Sequence, residues 1–152
     1  MTIEQEIKQP KFRSPQQKVA VNLIYTTNWL EAKQNEFFKA FGLTSSQYNI
    51  LRILRGQGNN SISGADIKSR MLERNSDISR MLDRLLKKRL VTKRQCPNDK
   101  RAADIMIAPA GLSLLSEIDM AIDKTERVNI RLNEKEALQL SALLDKCRGN
   151  SF

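Results

Sequence analysis

The chain has 152 residues with no histidine, two cysteines and one tryptophan, and its 26 Lys and Arg against 17 Asp and Glu give a formal net charge of +9. This length suits one domain, or one domain with dimerising extensions, and it can bury a real core. Without histidine the commonest general base and metal ligand are absent, so we expect neither an enzyme nor a metal or cofactor site.

The composition gives no sign of a membrane or secretory segment. Apolar residues make up 40% of the chain but are scattered, and no run approaches the roughly 18 apolar residues that a spanning helix needs. Residues 1–17 are polar and lack the apolar core of a signal peptide. We therefore expect a cytoplasmic protein.

The positive charge is concentrated in one third of the chain. Residues 68–101 hold 12 basic and 4 acidic side chains, and the rest of the chain is close to neutral. Such confinement is typical of a surface that binds a polyanion, although a solvated basic face has the same composition. Because this stretch has no aromatic residue, it favours neither single-stranded nucleic acid nor a membrane surface.

The N-terminal part of the sequence predicts a flexible leader over residues 1–15, followed by one long helix. The helical pattern runs from Gln16 to Phe41 and is ended by Gly42. This helix outruns a compact core, which favours a dimer seam over residues 16–42 rather than a helix that only crosses its own domain. Its apolar stripe consists of Val19, Leu23, Leu30, Phe37 and Phe41.

Three shorter helices are predicted between residues 43 and 89, at about 45–56, 64–71 and 76–89. Residues 59–62 between the first two are too short to be more than a strand stub. The predicted N-caps are a Thr or Ser near residue 44, Ser63 with Asp66 in the spacing of a capping box, and Asn75 or Ser76.

The helix that begins near residue 76 is the most informative segment. Its buried stripe follows the i, i+3, i+4, i+7 spacing with Ile78, Met81, Leu82 and Leu85. A helix with short polar side chains at its start and cations along its length is suited to the major groove of DNA. An ordinary surface helix with a basic exterior is the alternative. The opposite face carries Ser76, Arg80, Asp83, Arg84 and Lys87.

A β-hairpin with a basic tip is predicted directly after this helix. Residues 90–95 and 103–108 alternate as strands, and residues 96–101 form a turn cluster between them. Three helices followed by a charged hairpin is the order of a winged helix-turn-helix, in which the wing lies along the minor groove. The fold class is therefore mainly α with a small β-hairpin, and the DNA-binding domain is expected at residues 43–108.

These segments resemble the MarR (multiple antibiotic resistance regulator) family over roughly residues 16–148. The sequence LTSSQYNIL at 43–51 resembles the family's L-T-x-x-Q-Y-x-x-L opening, and SDISRMLDRL at 76–85 looks like its recognition helix. Asp99-Lys100-Arg101 is similar to the D-x-R signature of the wing. The family usually has Gly where Arg89 stands, Glu in place of Leu86, and L-T in place of Ile107-Ala108, differences that bear on local stability and wing angle.

The resemblance implies a homodimeric transcriptional regulator, most often a repressor, that binds double-stranded DNA. It implies that Arg101 contacts the minor groove, that Asp99 orients neighbouring Arg side chains, and that Lys93 and Arg94 hold phosphate. The complete set of expected DNA-binding residues is Ser76, Asp77, Ser79, Arg80, Arg84, Lys87, Lys93, Arg94, Asn98, Asp99, Lys100 and Arg101.

Residues 109–152 are expected to supply two further helices for dimerisation. The first carries apolar residues three or four apart, and Asn133 with Glu136 is expected to cap the second. Several apolar helices then lie outside the DNA-binding domain without an evident partner in one chain. A two-fold dimer would place two recognition helices roughly 34 Å apart and would require a pseudo-palindromic site.

The resemblance also implies control by a small molecule, because family members hold ligands beside the dimer helices. Candidate residues for an aromatic effector are Tyr25, Trp29, Phe37 and Phe38, although aromatic residues at helical spacing are more often core. Thiol redox sensing is a weaker candidate, carried by Cys96 between Arg94 and Lys100. The alternative to transcription is a helical dimeric adaptor or an RNA-associated interaction module, which would explain the long helices but not the charged hairpin.

Overall fold

A computed structural model describes residues 1–96 and 99–149, and for residues 95, 96 and 99–102 it describes the backbone only. Within these residues the chain is mainly helical with one small antiparallel sheet, as the sequence predicts. The helices are α1 Ile3–Glu6, α2 Pro15–Lys39, α3 Ser45–Gly56, α4 Gly64–Arg70, α5 Ile78–Lys87, α6 Pro109–Asn129 and α7 Glu134–Arg148; the strands are β1 Ile62–Ser63, β2 Val91–Cys96 and β3 Asp99–Ile107.

The first of two units comprises Met1–Ser116 and has its core where α3, α4, α5 and the sheet meet. The amphipathic patterns of α3 and α5 are confirmed, since their apolar stripes are buried. Residues with almost no exposed surface include Ile50, Leu51, Leu54, Ile67 and Leu85. Burying a side chain of this size contributes about 1.5–3 kcal/mol, so this core fixes α5 on α3 and α4.

The sheet has the strand order β1-β3-β2. Val91 pairs with Ile107 in the hairpin, and Ile62 of β1 pairs with Ile105 of β3. The predicted hairpin is confirmed, but the turn predicted at 96–101 is too wide, because Cys96 ends β2 and Asp99 begins β3. Pro and Asn are typical turn residues, so Pro97 and Asn98 in the sequence led to a predicted turn that included residues belonging to the strands.

The predicted N-caps of α3, α4 and α7 are confirmed, and the predicted N-cap of α5 is wrong. Thr44 caps α3, and Asn133 with Glu136 forms the capping box of α7. The capping-box prediction for α4 is half right, because Ser63 Oγ accepts from the Asp66 amide while its hydroxyl donates to the Asp66 carboxylate. The prediction of Asn75 or Ser76 as the cap of α5 is wrong.

The cap of α5 is Asp77, whose carboxylate accepts from the Arg80 amide at 3.1 Å. Three adjacent residues in this stretch, Asn75, Ser76 and Asp77, are all good caps, so the sequence alone does not choose among them. Ser76 is not the cap in this structure; its hydroxyl instead donates to the Glu73 carbonyl.

Arg89 closes α5 in a left-handed conformation, with φ +59°. Its amide donates to the Leu86 carbonyl and the Leu90 amide donates to the Leu85 carbonyl, which is the Schellman pattern. Leu85 and Leu90 are both buried, as this motif favours. The predicted turn without glycine is therefore present, and Arg89 carries its strain.

The leader is more ordered than the sequence indicates. It contains the single-turn helix α1, in which Ile3 is buried. Lys18 lies 2.5 Å from Glu4 and, by donating a hydrogen bond to it, lowers the pKa of that carboxyl. The sequence did not predict this helix, because residues 1–15 are mostly polar and a single buried isoleucine produces no helical periodicity.

The apolar stripe predicted on α2 is largely uncovered within one chain. Val19 is exposed, and Leu23, Leu30, Phe37 and Phe41 are half-buried. The buried residue of this helix is Phe38, which lies outside the predicted stripe and stacks on Tyr48 of α3 with ring centroids 4.2 Å apart.

The second unit begins at Glu117 and contains the rest of α6 together with α7. The two predicted C-terminal helices are confirmed, with a link at residues 130–133. No side chain of α7 is buried, and its leucines 138, 140 and 143 are exposed. Across the described part of the chain, no helix is both long enough and apolar enough to span a membrane.

Candidate nucleic-acid interface

The solvent face of α5 is basic, as the sequence predicts. Arg80, Arg84 and Lys87 are all exposed, while Ile78, Leu82 and Leu85 on the opposite side are buried. The α-helix period produces this separation, because the apolar residues recur every three or four positions. The cationic side chains therefore point away from the core and are free to meet a polyanion.

Arg80 also pairs with the cap of its own helix. Its Nε lies 3.6 Å from the Asp77 carboxylate, and both side chains remain more than half exposed. An exposed pair of this kind contributes little to stability, so it does not hold Arg80 against the protein. Asp77, which the sequence predicts to bind DNA, caps α5 and pairs with the Arg80 side chain at the start of this helix.

The two predicted serines occupy different environments. Ser79 is exposed on the first turn of α5, where a short side chain allows close approach of a ligand. Ser76 is half-buried, and its hydroxyl donates to the Glu73 carbonyl at 2.7 Å. Its oxygen can still accept a hydrogen bond, but its proton is committed to the turn.

The turn between α4 and α5 is fastened to α3. The Ser46 hydroxyl on the first turn of α3 donates to Glu73 Oε1 at 2.7 Å. Asn49, one helical turn further on, places its amide nitrogen 3.7 Å from the sulfur of the buried Met71. The sequence analysis did not predict this role of Glu73, because a single acidic residue inside a basic segment carries no local pattern that would indicate its partner.

The C-cap of α5 contacts the turn that follows α2. Lys88 Nζ donates to the Gly42 carbonyl. This contact joins residues 46 apart in sequence, so no local pattern could have indicated it. Lys87, Lys88 and Arg89 are all exposed, and Lys88 is the one of the three whose ammonium group makes this contact within the protein.

The sheet register places the two basic residues of β2 on opposite faces. Lys93 pairs with Ile105 and shares the face of Val91, which is buried and packs toward the helices. Arg94 pairs with Asp104 on the other face, where Ser61 also donates to Asp104. The prediction that Lys93 and Arg94 both bind phosphate stays a prediction, with the two side chains on opposite faces of the strand.

The predicted tip of the wing lies partly beyond what the structure describes. Asn98 is outside the described residues, and the side chains of Asp99, Lys100 and Arg101 are as well. The backbone of the last three begins β3. Their predicted contacts with DNA therefore stay predictions.

The four candidate effector residues do not form one open group. Phe38 is buried in the core against Tyr48, which corrects its assignment to the lining of a cleft. Phe37 packs edge-on against Phe38. Tyr25 and Trp29 are more than one third exposed, and the Tyr25 hydroxyl donates to Glu6 at 2.8 Å. This hydrogen bond raises the pKa of Tyr25 above its ordinary value.

The two cysteines lie in different parts of the chain. Cys147 on α7 is a free, exposed thiol far along the chain from the basic segment. Cys96 ends β2, and the structure describes only its backbone. The redox role of Cys96 therefore stays a prediction.

The segment that contains α5 and the hairpin was compared with known proteins. Residues 43–103 match the sequence model of the MarR family. This segment begins just before α3 and ends within β3, so it contains the turn, α5 and most of the hairpin.

Solved structures show a similar fold over most of the chain. A MarR transcription factor from Planctomyces limnophilus is 28% identical, with a TM-score of 0.71, and the match covers 88% of this chain and 98% of that one. A mutant MarR from E. coli complexed with operator DNA is 21% identical, with a TM-score of 0.74 and coverage of 97% and 99%. BpsR from Bordetella bronchiseptica, whose DNA binding is regulated by 6-hydroxynicotinic acid, is 22% identical, with a TM-score of 0.76 and coverage of 86% and 98%.

Proposed function

We propose that the protein is a transcriptional regulator of the MarR family that binds double-stranded DNA through α5 and the β2–β3 hairpin, because residues 43–103 match the sequence model of that family. The recognition helix would lie in the major groove, with Ser79, Arg80 and Arg84 directed at bases and phosphates. Arg101 would reach the adjacent minor groove from the wing, and Asp99 would orient its neighbours.

The basic face of α5 is the observation that carries the proposal. Its cations are exposed on one side of a helix whose other side is fixed in the core, so their side chains leave a fixed helix in one row. A duplex offers a matching row of phosphates beside the major groove. The complex of E. coli MarR with operator DNA is a precedent in a protein of the same fold.

The binding test is a titration against DNA at several salt concentrations. The protein first selects duplexes from a random-sequence pool, and its affinity is then measured for the selected duplex and for a scrambled one. We expect log K to fall linearly with log salt, and Arg84→Ala to reduce this slope by about 0.9, the value for one lost phosphate contact. Arg127→Ala, which removes an equal charge from α6, is the matched control and should leave the slope unchanged.

Two results would contradict the proposal. Equal affinity for selected and scrambled duplexes would leave only a generic polyanion binder. Tighter binding to RNA than to duplex DNA in direct competition would favour an RNA-associated module instead.

We further propose that the regulator acts as a homodimer on a pseudo-palindromic site. The exposed Leu140 and Leu143 of α7 and the stripe of α2 are largely uncovered in one chain, and a second copy would cover both. A two-fold axis would repeat α5 at a spacing of about one turn of DNA, roughly 34 Å. Footprinting of the selected duplex should then show two half-sites with that spacing.

We also propose that the protein represses transcription and that a small effector releases it from DNA. BpsR shows that a protein of this fold is regulated by a small aromatic acid. The exposed aromatic residues Tyr25 and Trp29 on α2 are the remaining candidates for such a ligand. We expect 6-hydroxynicotinic acid or simple phenols to change Trp29 fluorescence and to weaken DNA binding together. If neither observable changes with any of these probes, effector control through α2 is wrong.

A further inference from the structure

We propose that Glu73 is a positioning residue that sets the start of the recognition helix by tying the turn before α5 to α3. This inference rests on the proposed DNA-binding function of α5. Glu73 itself would touch no DNA, and it would act through Ser76 and Asp77, which follow it at the helix start.

The side chain of Glu73 is held by a rigid part of the fold. Its Oε1 accepts a hydrogen bond of 2.7 Å from the hydroxyl of Ser46, on the first turn of α3. The rest of α3 is fixed, because Ile50, Leu51 and Leu54 are almost fully buried. The carboxylate is therefore anchored to a helix that does not move relative to the core.

The backbone of Glu73 is bonded to the beginning of α5. Its carbonyl accepts a hydrogen bond of 2.7 Å from the Ser76 hydroxyl. Asp77 follows immediately and caps the helix through the amide of Arg80. One residue thus links α3, through its side chain, with the capping turn of α5, through its carbonyl oxygen.

Apolar packing alone gives this turn little support. Met71 is buried at its beginning, but Leu72 is 87% exposed and the next residues are polar. The buried stripe of α5 resumes only at Ile78. Between these two anchors the polar contact of Glu73 with Ser46 restrains the chain, so its removal should loosen the first turn of α5 without unfolding the domain.

A purely electrostatic role for Glu73 predicts different behaviour. A carboxylate near DNA repels phosphates, so its removal would raise affinity for every sequence alike. A positioning role depends on the hydrogen bond and not on the charge. The ratio of specific to non-specific affinity separates the two, because a uniform charge effect cancels in that ratio.

The experiment uses the full chain and four variants, measured on the selected and scrambled duplexes. Ser46→Ala and Glu73→Ala break the contact, and both should lower the affinity ratio by about 3–10-fold, as expected for one lost hydrogen bond. Glu73→Gln removes the charge but keeps an acceptor for Ser46, so it should retain the ratio. Ser45→Ala is the control, because Ser45 bonds Asn35 through its backbone amide, which alanine keeps.

The double variant Ser46→Ala with Glu73→Ala should lower the ratio no further than either single variant, because both remove the same contact. Thermal unfolding midpoints, measured alongside, should stay close to wild type. If Glu73→Gln and Glu73→Ala have equal ratios, or if Ser46→Ala has the wild-type ratio, the positioning role is overturned.

Hydrogen exchange in the free protein tests the same tether without DNA. Ser46→Ala should speed exchange at the amides of residues 76–80, including that of Arg80, while amides in the middle of α3 keep their rates. Unchanged exchange at 76–80 would overturn the tether even if the protein binds DNA. A wild-type protein without sequence preference would instead refute the proposed function and leave the exchange result to judge the tether.

Discussion

Arg89 occupies a backbone conformation that glycine adopts without cost. At φ +59° its Cβ approaches neighbouring backbone atoms, and a non-glycine residue there stores about 1–2 kcal/mol of strain. The Schellman hydrogen bonds and the buried pair Leu85 and Leu90 hold it in place. Strand β2 begins two residues later, so the strain lies at the joint between α5 and the hairpin.

Arg89→Gly should therefore stabilise the domain by about 1 kcal/mol, since the relief of strain outweighs the extra entropy of an unfolded glycine. Denaturant unfolding measures this change. Arg89→Ala is the matched control, because it removes the same charge but keeps the Cβ. Equal stability of the two variants would show that charge, and not backbone strain, determines the effect.

Gly111 permits a close approach between α6 and the hairpin. A Cβ at this position would overlap the Leu90 carbonyl oxygen and lie 2.8 Å from Ile107 Cγ1. Since backbone atoms cannot yield easily, Gly111→Ala should cost about 1–3 kcal/mol in the free energy of unfolding. Gly56→Ala, at a helical position with nothing within 4 Å, should cost nothing. A neutral Gly111→Ala would mean that α6 can shift away from β2 at no cost.

The hydrogen bond from Tyr25 to Glu6 makes a prediction about pH. It raises the pKa of Tyr25 above the ordinary 10.0, because the neutral phenol is the form that donates. The bond therefore stabilises the fold fully below pH 10.0, and its contribution is lost as the pH rises through the higher pKa of the folded state.

Ultraviolet absorbance, with Tyr25→Phe as the reference that isolates this phenol, should place its ionisation above the ordinary value. Glu6→Ala should bring the ionisation back down, and the stability difference between wild type and Glu6→Ala should vanish at high pH. An ionisation that Glu6→Ala leaves in place would show that α1 does not hold Tyr25.

At the scale of elements, the spacing of apolar residues in the sequence predicted the type of each helix and strand and the side that it buries. The stripes of α3 and α5 recur with the helical period, and residues 90–95 and 103–108 alternate, so their type and buried sides follow from burial alone. The basic face of α5 could be predicted for the same reason, since burying Ile78, Leu82 and Leu85 turns Arg80 and Arg84 outward.

Contacts between distant segments could not be predicted in this way. Lys88 bonds the Gly42 carbonyl across 46 residues, and Ser46 bonds Glu73 across 27. Polar residues of this kind look solvated in any local window, because their partners are fixed only after the core has formed. The sheet register is also non-local, and it separates Lys93 from Arg94 although the two are adjacent in sequence.

The hairpin yields a prediction about which of these cations meets DNA. Lys93 lies on the face of β2 that is shared with Val91, and α5 packs against this strand. We therefore expect Lys93→Ala to reduce the salt slope of DNA binding by about 0.9, and Arg94→Ala to leave it nearly unchanged. The two variants are matched in charge and position. The reverse result would place the outer face of the wing, with Asp104, against the phosphates.

At the scale of the whole molecule, the two units differ in how they bury apolar side chains. The first has a continuous core within one chain, whereas α7 of the second buries none of its own side chains. An amphipathic helix in this condition gains its stability from a partner surface rather than from intrinsic propensity. A regulator that needs two recognition helices on one duplex would place that partner surface in a second copy.

The dimer can be tested on α7 itself. Leu140 shares a stripe with Leu143 and Leu144 by the i, i+3, i+4 spacing, whereas Leu138 lies about 200° away on the helix. Leu140→Glu should place a charge in the interface and raise the dimer dissociation constant by about 10-fold or more, because burying each leucine contributes about 1.5–3 kcal/mol. Leu138→Glu makes the same chemical change on the other side and should keep the mass of the dimer in sedimentation.

Weakened DNA binding should accompany Leu140→Glu alone, since a monomer brings one recognition helix to a two-fold site. Equal masses for both variants would place the dimer seam away from this stripe, and a monomeric wild type would remove the need for one.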